Sequence, residues 1–269
     1  MEPLIKVEGL TKRYSRKGLL GSQEVVAALD GVSFSIFSGT TFAIVGESGS
    51  GKTSLALCLA CLEPPTSGRI WLNGLELTLL DETELRAVRP QVQTVFQDPV
   101  SSLNPRWRVQ EILAEPLVMQ RRFSRRECTD RAATLLERVG LSADLGSRTA
   151  LELSGGQRQR LAIARGLALE PKLLILDEAL SGLDCSVQAH IANLLAKLQT
   201  SLGLTYMFIT HDLTMAAHMA DQIAVMHQGR IVEQGTAEKV LRLPQHEITK
   251  RLMAAMPRLS PAASSSPQR

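Results

Sequence analysis

Apolar and polar positions follow two different rhythms along this chain, and the changes of rhythm mark out its elements. Closed apolar runs at residues 41–45, 173–176, 205–210 and 223–226 predict short, buried strands. Smaller runs at 4–7 and 32–37 predict two more strands, with the turn-prone Asp30-Gly31 before the second and a polar, Gly-containing connection over 15–22. Residues 69–72, followed by Asn73-Gly74, read as an edge strand and turn. Spacings of three and four residues govern 109–119, 125–139 and 154–169, which predicts helices. Further helices are expected over 52–62, ended by Pro64-Pro65 and Ser67-Gly68, over about 186–202, and between 210 and 223. Strand–helix alternation broken by a helical block implies an α/β chain, with a parallel-sheet core and an inserted helical subdomain. No internal repeat is visible.

Composition narrows the class. The 269 residues are 44% apolar with mean hydropathy near +0.03, a globular balance with room for a large core. No run approaches the roughly 18–20 apolar residues needed to cross a bilayer, and the start, MEPLIKVEG, lacks the order of a signal peptide. A cytosolic chain is therefore expected, with any membrane work left to partners. Thirty basic and 27 acidic residues leave a net charge of +3, so no nucleic-acid partner is expected. The densest basic stretch, Arg121-Arg122-Phe123-Ser124-Arg125-Arg126, reads as a solvated helix start. Four cysteines, Cys58, Cys61, Cys128 and Cys185, form no secreted disulfide framework. The Cys58–Cys61 pair has CxxC spacing, but its apolar surroundings read as a buried helix carrying two small side chains. His190, His218, His227 and His246 lack metal-ligand spacing. Residues 260–267 lack apolar residues to pack, and the tail at 259–269 is expected to be disordered.

Three motifs carry chemistry. Gly46-Glu47-Ser48-Gly49-Ser50-Gly51-Lys52-Thr53 fits GxxxxGK[ST] in full, between a predicted strand and a predicted helix. Its glycines let backbone N–H groups turn inward around phosphates, and the helix N-terminus adds a favourable dipole. Lys52 should contact the β- and γ-phosphates, and the Thr53 hydroxyl should ligate Mg²⁺. Residues 173–177 form an apolar strand ending in an acid. Asp177 would hold Mg²⁺, and Glu178 would orient or deprotonate the attacking water. Two acids capping the next helix is the plainer alternative. Leu153-Ser154-Gly155-Gly156-Gln157 precedes a helix, for which Ser154 is a good N-cap.

With a complete LSGGQ beside the other two motifs, the chain resembles the nucleotide-binding subunit of an ABC transporter over about residues 4–257. The resemblance implies an ABC-type nucleotide-binding domain: a RecA-like P-loop core, an antiparallel β-subdomain and an inserted helical subdomain. It implies one domain over 1–258, with core at about 1–100 and 165–235, helical subdomain at about 101–164 and C-terminal extension at 236–258. ATP would be sandwiched between two such chains, with Ser154, Gly155, Gly156 and Gln157 of one covering the phosphate loop of the other. By the same resemblance Ser54 joins the phosphate site and Tyr14 stacks on adenine. Gln97 is the Q-loop glutamine that touches Mg²⁺ and water. His211 contacts the γ-phosphate, and Asp184 belongs to a D-loop crossing the dimer interface. The family usually has alanine at Gly182, which implies a looser loop.

Two stretches narrow the resemblance to importers of oligopeptides, dipeptides or nickel: residues 96–106 and 229–236, the latter leading to His246-Glu247-Ile248-Thr249. The subgroup commonly has His-Pro-Tyr-Thr at that last position. Expected partners are two integral membrane permease subunits, a second ATPase chain and, indirectly, an extracytoplasmic substrate-binding protein, with this chain peripheral on the cytoplasmic membrane face. No cysteine follows Cys185, so the iron–sulfur tail of one subunit type is excluded, and a heterodimer with a different ATPase is expected. The alternatives are an exporter ATPase, or a non-transport ABC ATPase acting on DNA or the ribosome.

Overall fold

The computed structural model describes residues 2–17, 23–98, 102–121 and 123–255. The expected tail at 259–269 and part of the connection at 15–22 lie outside these residues, as do Pro99, Val100, Ser101 and Arg122.

Two sheets organise the described chain. β1 (Ile5–Lys17), β2 (Gln23–Ile36), β4 (Ser67–Leu72) and the two-residue β5 (Leu75–Glu76) form an antiparallel sheet in the order β2-β1-β4-β5. β3 (Thr41–Val45), β6 (Val92–Val95), β7 (Leu173–Asp177), β8 (Thr205–Thr210), β9 (Gln222–His227) and β10 (Arg230–Thr236) form the second, ordered β10-β9-β3-β8-β7-β6. All its pairings are parallel except that of β10 with β9.

The central strands are buried at every position, which is why they read as unbroken apolar runs. Their side chains divide by the period of two. Ala43, Val45, Leu174, Leu176, Tyr206 and Phe208 face one core. That core also receives Leu113 of α3 (Val109–Met119), Leu135 of α4 (Arg125–Arg138), Leu161 of α5 (Gly155–Leu167) and Leu195 of α6 (Cys185–Leu202). Phe42, Ile44, Leu173, Ile175, Met207 and Ile209 face a second core, shared with Leu55 and Leu59 of α1 (Lys52–Leu59) and with the antiparallel sheet through Ile5, Leu10 and Ile70. Helices α2 (Glu82–Val88), α7 (Leu213–Met219), α8 (Ala237–Arg242) and α9 (Glu247–Ala254) complete the described fold.

Several expectations need correction. Residues 69–72 are not an edge strand, because β4 lies between β1 and β5. Asp30-Gly31 is not a turn: β2 runs straight through it, and the Gly31 N–H donates to the Thr11 hydroxyl at 3.3 Å beside irregularities in the β1 pairing. Helix α1 stops at Leu59, short of 62, and Cys61 then takes a left-handed φ of 55°. Cys58 is buried as expected, and burial pushes its thiol up to about 11, so it is inert.

Candidate active site

The phosphate loop joins β3 to α1, and its shape depends on glycine. Gly51 caps α1 at φ 105°, and a β-carbon there would lie 2.2 Å from the Ala28 carbonyl. A β-carbon on Gly46 would lie 2.2 Å from the Met226 carbonyl. Glu47, Ser48 and Gly49 form the exposed lip, while Ser50 is buried with its hydroxyl unpartnered. Lys52 is only 5% exposed, and its ammonium donates to the carbonyls of Gly46 at 2.8 Å and Glu47 at 2.9 Å. Burial pushes its pKa down, and the carboxylates of Glu178 and Asp177 oppose that shift. The ammonium is thus held under the loop next to two acids that come from another strand.

Those acids end β7. Asp177 is 5% exposed and one of its carboxylate oxygens has no partner. Its pKa is raised chiefly by burial, with the Thr53 hydroxyl bond opposing, Glu178 adding and Lys52 opposing. Glu178 adopts a left-handed φ of 49°, a strain on the order of 1 kcal/mol. Its N–H donates to Ile209 at 2.9 Å, and its own carbonyl accepts from the Ser181 hydroxyl at 2.7 Å. These bonds aim its carboxylate at His211, whose Nδ1 lies 3.2 Å from Oε2. In the parallel register Val45 pairs with Thr210 and Asp177 with Ile209, so Gly46, Asp177, Glu178 and His211 all emerge from the carboxyl ends of β3, β7 and β8.

This donor set fits a magnesium–phosphate group. A recessed carboxylate oxygen lacks a partner, a hydroxyl stands beside it, and a buried ammonium is satisfied only by the loop's own carbonyls.

Other expected site residues lie further off. Gln97 is exposed, two residues beyond the end of β6. Tyr14, on β1, is half-buried and donates to Glu63 at 2.6 Å, with the Ser54 hydroxyl at 3.4 Å. Ser154 and Gln157 close a reciprocal capping box at the start of α5, at 3.3 and 2.9 Å. A β-carbon on Gly156 would come within 2.9 Å of Val187, and Gly155 faces Leu183. Asp184 is exposed at the start of α6. Among the described residues, no hydrogen bond or ion pair joins 154–157 or Asp184 to the phosphate loop. Sequence reasoning missed Lys12 and Glu63 beside Tyr14 and Arg251 beside Glu47, since each pairing joins distant segments without a motif.

Residues 29–181 match the ABC transporter family. The chain belongs to that family. The dipeptide transport ATP-binding protein DppF of Haemophilus influenzae is 46% identical over 96% of this chain and 80% of its own length. The protein of the same name from Escherichia coli K12 is 44% identical over 97% of this chain and 78% of its own. An ATP-binding cassette solved as a dimer in a post-hydrolysis state bound to ADP and Pi superposes with a TM-score of 0.77 at 31% identity, over 87% of this chain and 98% of that one. The cbiO1 protein of Clostridium perfringens, part of the ABC transporter complex cbiONQ, gives 0.76 at 31% identity, covering 91% and 97%. The fold is thus the ABC-type nucleotide-binding domain, and this ABC chain is an ATPase.

Proposed function

We propose that this ABC ATPase powers the import of peptides through a membrane complex. The observation that carries the reading is the convergence of Lys52, Asp177, Glu178 and His211 at adjoining strand ends, in a chain whose relatives carry dipeptide transport names. Those names favour peptide over nickel as cargo.

In this reading the N–H groups of Gly49 to Thr53 and the Lys52 ammonium bind the β- and γ-phosphates of ATP. Thr53, Asp177 and Gln97 would hold Mg²⁺, which supplies charge neutralisation on the phosphate oxygens. Glu178 orients a water and takes its proton as the water oxygen bonds to the γ-phosphorus. The bond from that phosphorus to the bridging oxygen breaks, and ADP leaves with the electron pair. His211, held by Glu178, donates to the γ-phosphate. Ser154, Gly155, Gly156 and Gln157 make no bond to their own phosphate loop among the described residues, which supports their serving a second ATPase chain's nucleotide, with Asp184 at the same interface. Binding of two nucleotides closes the pair, and hydrolysis reopens it.

Two membrane permease subunits would dock near the groove of about 510 Å³ between β6, α3 and α5, bordered by Phe96, Leu103, Met119 and the Glu115–Arg165 ion pair. That assigns the helical block at about 101–164 to coupling. None of the helices among the described residues is long and apolar enough to cross a membrane; in this reading the chain sits peripherally, on the cytoplasmic face. A substrate-binding protein on the far side would choose the peptide.

Affinity capture from native membranes tests the assembly. Two membrane subunits, a second ATPase and a peptide-binding protein are the expected companions. Ribosomes or DNA without any membrane subunit would overturn the reading.

A further inference from the structure

We propose that Glu63 and Lys12 are positioning residues for the nucleotide base, locking the Tyr14 ring in one orientation before ATP arrives. The inference rests on the reading of Tyr14 as the adenine platform. Tyr14 is held at its tip and across its face. Its hydroxyl donates to Glu63 Oε2 at 2.6 Å, and the Lys12 ammonium stands 5.0 Å from the ring centroid. The same ammonium lies 3.1 Å from Glu63 Oε2 and donates to the Pro64 carbonyl at 2.8 Å, so one cation braces both the ring and its anchor. The Lys12 side chain is only 12% exposed.

The anchor sits on the nucleotide site's own scaffold. Ser54, whose hydroxyl lies 3.4 Å from that of Tyr14, directly follows Thr53, and Glu63 lies just past the end of α1. The hydrogen bond from Tyr14 and the charge of Lys12 hold the Glu63 carboxyl below the usual carboxylate range, so it stays ionised at neutral pH. An untethered tyrosine would give up rotamer freedom each time a base stacked on it; a tethered one has given it up on folding.

Calorimetric binding of ATP and of inorganic triphosphate to the purified full chain separates the possibilities. Glu63→Ala and Tyr14→Phe should each weaken ATP about three- to tenfold, the scale of one hydrogen bond, and leave triphosphate affinity unchanged. Glu63→Gln, which still accepts from the phenol, should recover most of the loss. Adding Glu63→Ala to Tyr14→Ala should cost nothing further. If Tyr14→Ala weakens ATP while Glu63→Ala and Tyr14→Phe match the parent, the lock is wrong and the platform stands. If Tyr14→Ala itself leaves ATP affinity intact, the platform reading falls. Equal losses for ATP and triphosphate in Glu63→Ala would mean a structural role for Glu63 and overturn the proposal.

Discussion

Asp177 is buried and half-partnered beside another acid, so the proposed magnesium-binding role would come at the expense of stability. Its native pKa lies above the ordinary value of 3.8, so the folded chain binds this proton more tightly than the unfolded one. Protonation stabilises the fold as pH falls, and the ionised form is a cost above that window. Asp177→Asn should therefore raise the melting temperature at neutral pH, while ending magnesium-dependent hydrolysis. Thermal melts at several pH values check it: the variant's advantage should shrink as pH falls toward 4, roughly the ordinary carboxyl range. Glu178 is strained for a similar reason, since its left-handed backbone is what brings its carboxylate to His211. Replacing the carboxylate by an amide, Glu178→Gln, keeps the shape and removes the proposed base. The turnover of ATP should fall about 100-fold or more with binding retained, as measured by steady-state hydrolysis and nucleotide titration.

Two helices begin with the same device and should respond differently to its loss. Ser124 caps α4 against Glu127 at 3.3 and 2.7 Å, as Ser154 caps α5 against Gln157. Removing either hydroxyl by alanine should cost about 1 kcal/mol in denaturant unfolding. Ser124→Ala should leave hydrolysis at the parent rate, whereas Ser154→Ala should also lose it. A Ser154→Ala chain that is merely less stable would reduce the LSGGQ segment to a helix start. Elements differ in how legibly the sequence announces them. β3, β7 and β8 stood out because burial on both faces leaves an unbroken apolar run. β6 escaped notice because Gln93 and Thr94 interrupt a four-residue strand, and β10 because its Arg230, Glu233 and Gln234 belong to an antiparallel edge. α2 was missed although Asp81 and Glu84 form a capping box, since Val88 is its lone buried residue. Lys52, Asp177, Glu178 and His211, which the fold brings together, stood out because each sits in a short motif of fixed spacing. The Lys12–Glu63 brace was not, because only the fold brings it to Tyr14.

The molecule as a whole places one sheet between two cores, with the antiparallel sheet and α1 on one face and the helical block on the other. The proposed nucleotide-holding residues lie at the carboxyl edge of that sheet, and among the described residues the segment at 154–157 makes no bond to its own phosphate loop. In the proposed reading such a chain completes its site with another chain. Purified alone with ATP, it should stay monomeric by light scattering and associate when the second ATPase is added; a stable, active homodimer would contradict the heterodimer. Peptide uptake into proteoliposomes carrying the captured complex decides whether this chain powers import. ATP should drive accumulation of labelled peptide with the native chain, and Glu178→Gln should abolish it. Undiminished uptake with Glu178→Gln, or ATP turnover by the complex without any peptide movement, would rule out ATP-driven peptide import by this chain.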